Sequence, residues 1–125
     1  MDKIAAIQTF LNTFLPAYEE NSIFSAPVKP SYPYITYEGI EDSFTETDTA
    51  MTFSTWYREY SWNAAVTKTK QISAVLGREG KMLQCDDGYV LIMRGSPFSH
   101  RMGDESDDLI KRTYFNVNVR FYTND

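Results

Sequence analysis

Ile110-Lys111-Arg112-Thr113-Tyr114-Phe115-Asn116-Val117-Asn118-Val119-Arg120-Phe121-Tyr122-Thr123 is the stretch that decides the fold. Lys111, Thr113, Phe115, Val117, Val119 and Phe121 fall on one face of an extended chain. Ile110, Arg112, Tyr114, Asn116, Asn118 and Arg120 fall on the other. This strict two-residue period is the mark of a strand with one face against a core.

Working back toward the N-terminus, Lys81 to Cys85 and Tyr89 to Met93 read as two short strands. Asp86-Asp87-Gly88 between them is a strong turn signal. Ser61 is the expected N-cap of a helix whose buried stripe is Trp62, Ala65, Val66, Thr69, Ile72, Ser73 and Leu76. Lys68 and Lys70 stay in solvent, and Gly77 ends the helix. Tyr34 to Phe44 and Thr49 to Tyr60 alternate as strands joined by the polar tip Thr45-Glu46-Thr47-Asp48, a hairpin pattern. Met51, Phe53, Thr55 and Tyr57 share one face of the second strand, with Trp56 opposite. Ile4, Ile7, Leu11 and Phe14, widened by Phe10 and Leu15, predict a helix over Asp2 to Leu15 that Pro16 stops. Two stretches read as long loops, 17–32 with its prolines and the polar 95–108. The sum is one domain over 1–125 of the α+β class, a mostly antiparallel sheet with two helices packed on one face.

Composition narrows the function. The chain is 42% hydrophobic and 15% aromatic, enough for a core, and its formal net charge of -5 disfavours a phosphate-gripping surface. The single cysteine, Cys85, rules out an intrachain disulfide. No signal-peptide pattern opens the sequence and no apolar run is long enough to span a bilayer, so a cytoplasmic site of synthesis and no membrane partner are expected.

Catalytic patterns are weak. His100 is the only histidine, and no nucleophile motif surrounds Ser96 or Ser99. Asp104, Glu105, Asp107 and Asp108 crowd one loop, but the calcium-loop spacing is missing, and a solvated acidic loop is the simpler reading. No phosphate loop, dinucleotide fingerprint or zinc spacing occurs. No metal, cofactor or catalytic residue is therefore assigned.

The charge order of that loop is more informative. Arg94, His100 and Arg101 precede the four carboxylates, and Lys111 and Arg112 follow. A bipolar segment of this kind can lay its basic part on the acidic part of a neighbouring copy. That contact is head-to-tail and closes into a ring when the rotation allows. Phe98 and Met102 would supply apolar anchors within the charged rim. A surface loop with internally paired charges is the competing reading.

Several segments in the same order resemble tail terminator proteins, also known as minor capsid or tail completion proteins, of long-tailed bacteriophages. They are Phe14-Leu15-Pro16-Ala17-Tyr18-Glu19-Glu20-Asn21, Tyr32-Pro33-Tyr34-Ile35-Thr36-Tyr37-Glu38, and Ser54-Thr55-Trp56-Tyr57 with Ser61-Trp62. Then come Arg94-Gly95-Ser96-Pro97-Phe98, Arg101-Met102 with the acidic run, and Lys111 to Val117. The resemblance implies a small α+β subunit that forms a homo-oligomeric ring, typically hexameric, at the head-proximal end of the virion tail. Such a ring caps the tail tube protein and presents a docking face to the head–tail connector protein. It implies neither enzyme nor cofactor. Acidic side chains toward a central channel would let DNA slide through without specific binding, and Glu41, Asp42, Glu46 and Asp48 are the candidates. The alternatives are another virion joint protein (head completion or tail tube subunit), or a small hydrolase or regulator.

Overall fold

The computed structural model describes residues 1–24, 26–44 and 47–124, with only the backbone of Phe24. The elements run α1 (Lys3–Asn12), β1 (Ala17–Glu19), α2 (Glu20–Phe24), β2 (Tyr34–Tyr37), β3 (Thr49–Arg58), α3 (Asn63–Leu76), β4 (Lys81–Cys85), β5 (Gly88–Gly103) and β6 (Ile110–Thr123). The six strands form one sheet in the order β1-β2-β3-β6-β5-β4, curled into a half-barrel. Every pairing is antiparallel except β1 with β2.

The last strand is thus an inner one. Its alternation is realised throughout: Lys111, Thr113, Phe115, Val117, Val119, Phe121 and Thr123 are buried, and the residues between them are half-buried. From α1, Ile7, Phe10 and Leu11 pack onto this face, with Phe14 just beyond the helix, and from α3 so do Ile72 and Leu76. Met51 and Phe53 of β3, Val90 and Ile92 of β5, and Ile35 and Tyr37 of β2 complete the core. At its centre Phe115 stacks on Phe53 at 4.7 Å and 8°, while Phe98 meets it edge-on at 5.3 Å. Aromatic pairs of this kind add roughly 0.5–1.5 kcal/mol beyond the area they bury.

Local chemistry sets the ends of the elements. The Asp2 carboxylate caps α1 by accepting the Ala5 N–H at 2.7 Å. The helix stops at Asn12, short of the expected Leu15, because Thr13 turns its hydroxyl onto the Phe10 carbonyl at 2.6 Å and Asn12 accepts the Ala17 N–H at 2.7 Å. Trp62, not Ser61, is the N-cap of α3, and the Ser61 hydroxyl accepts the Asn63 N–H at 3.0 Å. Gly77 closes α3 at φ 62°, as its position promised. Lys68 is half-buried rather than in open solvent, because its ammonium donates to the Phe14 carbonyl at 3.2 Å and ties the two helices together. Gly88 turns the β4–β5 hairpin at φ 144°, and a Cβ there would stand 1.9 Å from the Tyr122 carbonyl oxygen.

Two expected loops are different in the structure. The 17–32 segment contains β1 and α2. Ala17 pairs with Ile35 in parallel, and the Ile35 N–H donates to the Pro16 carbonyl at 2.8 Å. The 95–108 segment is mostly strand, because β5 continues to Gly103 and re-pairs with β6 from Ser99 after an irregularity between Arg94 and Ser99. The Asn116 side chain fastens that irregularity by donating to the Pro97 carbonyl at 3.0 Å. Only 104–109 remain as a connection. The first hairpin strand is also shorter than expected: β2 ends at Tyr37, and 38–48 lie outside regular structure among the described residues.

Because Phe115 is fully buried at the meeting point of three rings, Phe115→Ala is expected to cost about 3–5 kcal/mol of unfolding free energy. Urea titration followed by circular dichroism measures it.

Candidate interaction surface

α1 and α3 cover one face of the sheet. Across the other runs a continuous series of rings and a guanidinium. Register explains it: Tyr34 lies opposite Trp56, Trp56 opposite Arg112, Ser54 opposite Tyr114, and Tyr114 opposite His100, so all point the same way. Tyr18 and Tyr32 pack on Tyr34 at 6.3 and 5.3 Å, and Tyr34 stacks on Trp56 at 6.1 Å. The Arg112 guanidinium lies 4.5 Å from the Trp56 ring and 5.3 Å from Tyr114, whose ring is 5.1 Å from His100. The ladder crosses five strands, from β1 to β5.

Hydrogen bonds lock it from beneath. The Trp56 indole donates to Thr36 Oγ1 at 2.8 Å, and Arg112 Nε donates to Ser54 Oγ at 3.0 Å. Thr36 and Ser54 are buried. Burial, with help from the Tyr32 hydroxyl, pushes the Tyr34 phenol up to about 12 against the pull of Arg112, so the ring stays neutral at any ordinary pH.

The sequence-derived interface residues are partly gathered beside this surface. Phe98, His100, Arg101 and Met102 all lie on β5, not in a loop. Phe98 turns to the core, packing on Phe115. Arg101 and Trp62 come together at 5.7 Å, near Lys111. His100 and Met102 lie on the ladder face, opposite Tyr114 and Arg112. Arg94 stands apart and donates to Ser73 Oγ of α3 at 3.0 Å.

Two of the four carboxylates of the acidic run are engaged within the chain. Asp104 Oδ1 accepts the Ser106 N–H and hydroxyl at 2.8 and 2.6 Å. Asp107 accepts Arg58 Nε at 2.9 Å and the Leu109 N–H at 2.9 Å. Glu105 and Asp108 are exposed. Among the described residues no group of three His, Cys, Asp or Glu side chains is placed to hold a metal ion.

The proposed channel carboxylates lie on the link between β2 and β3. Asp48 is bound to Arg120 at 2.8 Å. Glu41 and Asp42 are exposed, with Lys3 donating to the Asp42 carbonyl at 2.9 Å and standing 4.0 Å from Glu41. Glu46 lies outside the described residues.

No family model, curated protein or solved structure matches this chain. The surface is therefore read from its own chemistry. Sequence reasoning placed Trp56 on the face away from the core but missed its partners. The available signal was that Arg112 and Tyr114 share the outward phase of β6.

Removing the guanidinium would leave the buried Ser54 hydroxyl unpaired and unstack two rings. Arg112→Ala is thus expected to cost about 2 kcal/mol. Arg112→Lys should recover little of it, because an ammonium lacks the planar fork. A double-mutant cycle with Ser54→Ala in urea denaturation isolates the hydrogen bond.

Arg58 holds the Asp107 carboxyl below its ordinary 3.8, and the Ser106 hydroxyl and N–H hold Asp104 below the same value. A depressed folded-state value stabilises the fold above pH 3.8 and ceases to do so as pH falls through the folded value. Protection factors of the 104–109 amides, taken relative to the intrinsic exchange rate at each pH, are expected to fall below about pH 4. In Asp107→Asn that acid dependence should shrink.

Proposed function

We propose that this chain is a structural subunit of the tail-terminator kind, acting by contact with other proteins rather than by turnover. It assembles as a ring, six-fold as in the family it resembles, seated on the end of a tail tube and facing the head connector. The ladder across the face opposite α1 and α3 is the observation that carries this reading. It contains Tyr18, Tyr32, Tyr34, Trp56, His100, Arg112 and Tyr114, and beside it on the same face the Glu38 carboxylate accepts the Thr52 N–H at 2.6 Å. Trp, Tyr and Arg are the side chains that dominate binding energy at protein interfaces, whereas Lys, Asp and Glu are depleted there. The Trp56 ring, held by Thr36, and the Arg112 guanidinium, held by Ser54, lose little further freedom on docking.

The test is the mass of the particle by light scattering, alone and with tubes assembled from a phage tail tube protein. The expected result is a discrete multiple of 14.4 kDa, either free or bound at tube ends in electron micrographs. Tyr114→Ala should weaken tube attachment while the fold persists. Long stacked polymers would indicate a tube subunit instead. A particle that stays monomeric with and without tubes overturns the reading.

A further inference from the structure

β5 is 16 residues long, but β4 pairs with it only over Gly88–Ile92. Beyond Ile92 the side of β5 away from β6 carries no strand among the described residues. In an antiparallel ladder every second residue directs its N–H and C=O away from its partner. Between Ser99 and Gly103 such groups therefore face an open edge, and an open edge is a template for another strand. Against this edge lies a groove of about 440 Å³, lined by Val66, Thr69 and Lys70 of α3, by Ser99, His100 and Arg101 of β5, and by Thr113. Lys70, His100 and Arg101 are exposed, and no carboxylate lines the groove, in a chain of net charge -5. Beneath it the hydroxyl oxygen of Thr55, the cross-strand neighbour of Thr113, is buried with no hydrogen-bond partner among the described residues.

The complementary half lies at the other end of the sheet. Past Tyr37 only Glu38 still bonds to β3, its N–H donating to the Thr52 carbonyl at 3.1 Å, and the ladder ends there. Gly39, Ile40 and Glu41 enter no backbone–backbone hydrogen bond among the described residues. Glu41 and Asp42 are exposed there. Phe44 N–H donates to the Thr123 carbonyl at 2.6 Å, so this segment sits at the Thr123 end of β6, whereas the groove sits at Thr113. Ten strand residues separate these positions by roughly 33 Å. The two halves cannot meet within one molecule.

We propose that the 38–44 segment of one copy adds as a strand to the open β5 edge of the next, its carboxylates facing the Lys70–His100–Arg101 groove. Because successive strand residues point to opposite faces, one of Glu41 and Asp42 meets Lys70 and Arg101 and the other meets the His100 side. The contact joins unlike surfaces, so repetition closes a ring. It rests on the ring-forming reading above, and it assigns Glu41 and Asp42 to a neighbouring subunit rather than to the channel.

Two charge-reversed variants test it: Lys70→Glu with Arg101→Glu, and Glu41→Lys with Asp42→Lys. Each alone should associate with itself more weakly by roughly tenfold or more, since attraction at every contact becomes repulsion. Circular dichroism and urea midpoints confirm that each folds. A one-to-one mixture should restore assembly, with the two variants alternating, because each groove then meets an opposite charge. In wild-type assemblies, amide exchange at 39–41 and 99–103 should slow relative to dilute protein. Wild-type assembly with both variants unaffected overturns this contact and leaves the ring reading standing. The same holds if Glu105→Lys with Asp108→Lys, and not the 41/42 variant, rescues the groove variant, or if exchange at those amides is unchanged. Wild-type protein that never assembles, with or without tubes, overturns both.

Discussion

The inward face of β6 is the constraint on which the rest of the molecule depends. Phe115, Val117, Val119 and Phe121 are all but completely buried, and they can be so only if a helix lies across them and a strand flanks each side. That requirement draws β3 to one side and β5 to the other, although β3 lies more than fifty residues earlier in the chain. It also sets the phase of both neighbours, since a one-residue slip would turn Phe53 and Met51 outward. The opposite face inherits that phase. Trp56, Arg112, Tyr114 and His100 line up because Phe53, Phe115 and Thr113 must point inward. The surface is thus a by-product of the register that fills the core.

Much of this was legible in the chain itself. The alternation of 110–123, the stripes of the two long helices and the Asp86-Asp87-Gly88 turn each announce their element through local chemistry. The parts that were not legible depend on distant partners. β1 has only three residues, too few to show a period, and it exists because Ala17 to Glu19 find Ile35 to Tyr37 in parallel. The 95–108 stretch carries Gly, Ser and Pro, which locally favour a turn. It is nevertheless held extended because a 14-residue inner strand needs a long companion on each side. That mismatch in strand lengths was present in the sequence and pointed to it. Gly95 helps the companion approach: a Cβ there would stand 2.7 Å from the Asn116 carbonyl oxygen.

The candidate surface was legible in part. Arg101 and His100, singled out by charge order, and Phe98 and Met102, singled out as apolar anchors, follow one another on β5 but divide between its two faces. Two of the four acidic side chains, Asp104 and Asp107, serve the connection that carries them. Short polar turns routinely consume their own carboxylates in this way, and spacing alone cannot distinguish a carboxylate that shapes a turn from one that faces outward.

The chain contains two tryptophans, and the fold sends them to different places. Trp56 is clamped between Tyr34 and Arg112 on the face opposite α1 and α3, whereas Trp62 stands by Arg101 and Lys111 at the start of α3. Each indole therefore lies beside cations on its own side of the sheet. Emission from single-tryptophan versions would report separately on the two sides, giving the protein a pair of built-in optical probes that need no attached dye.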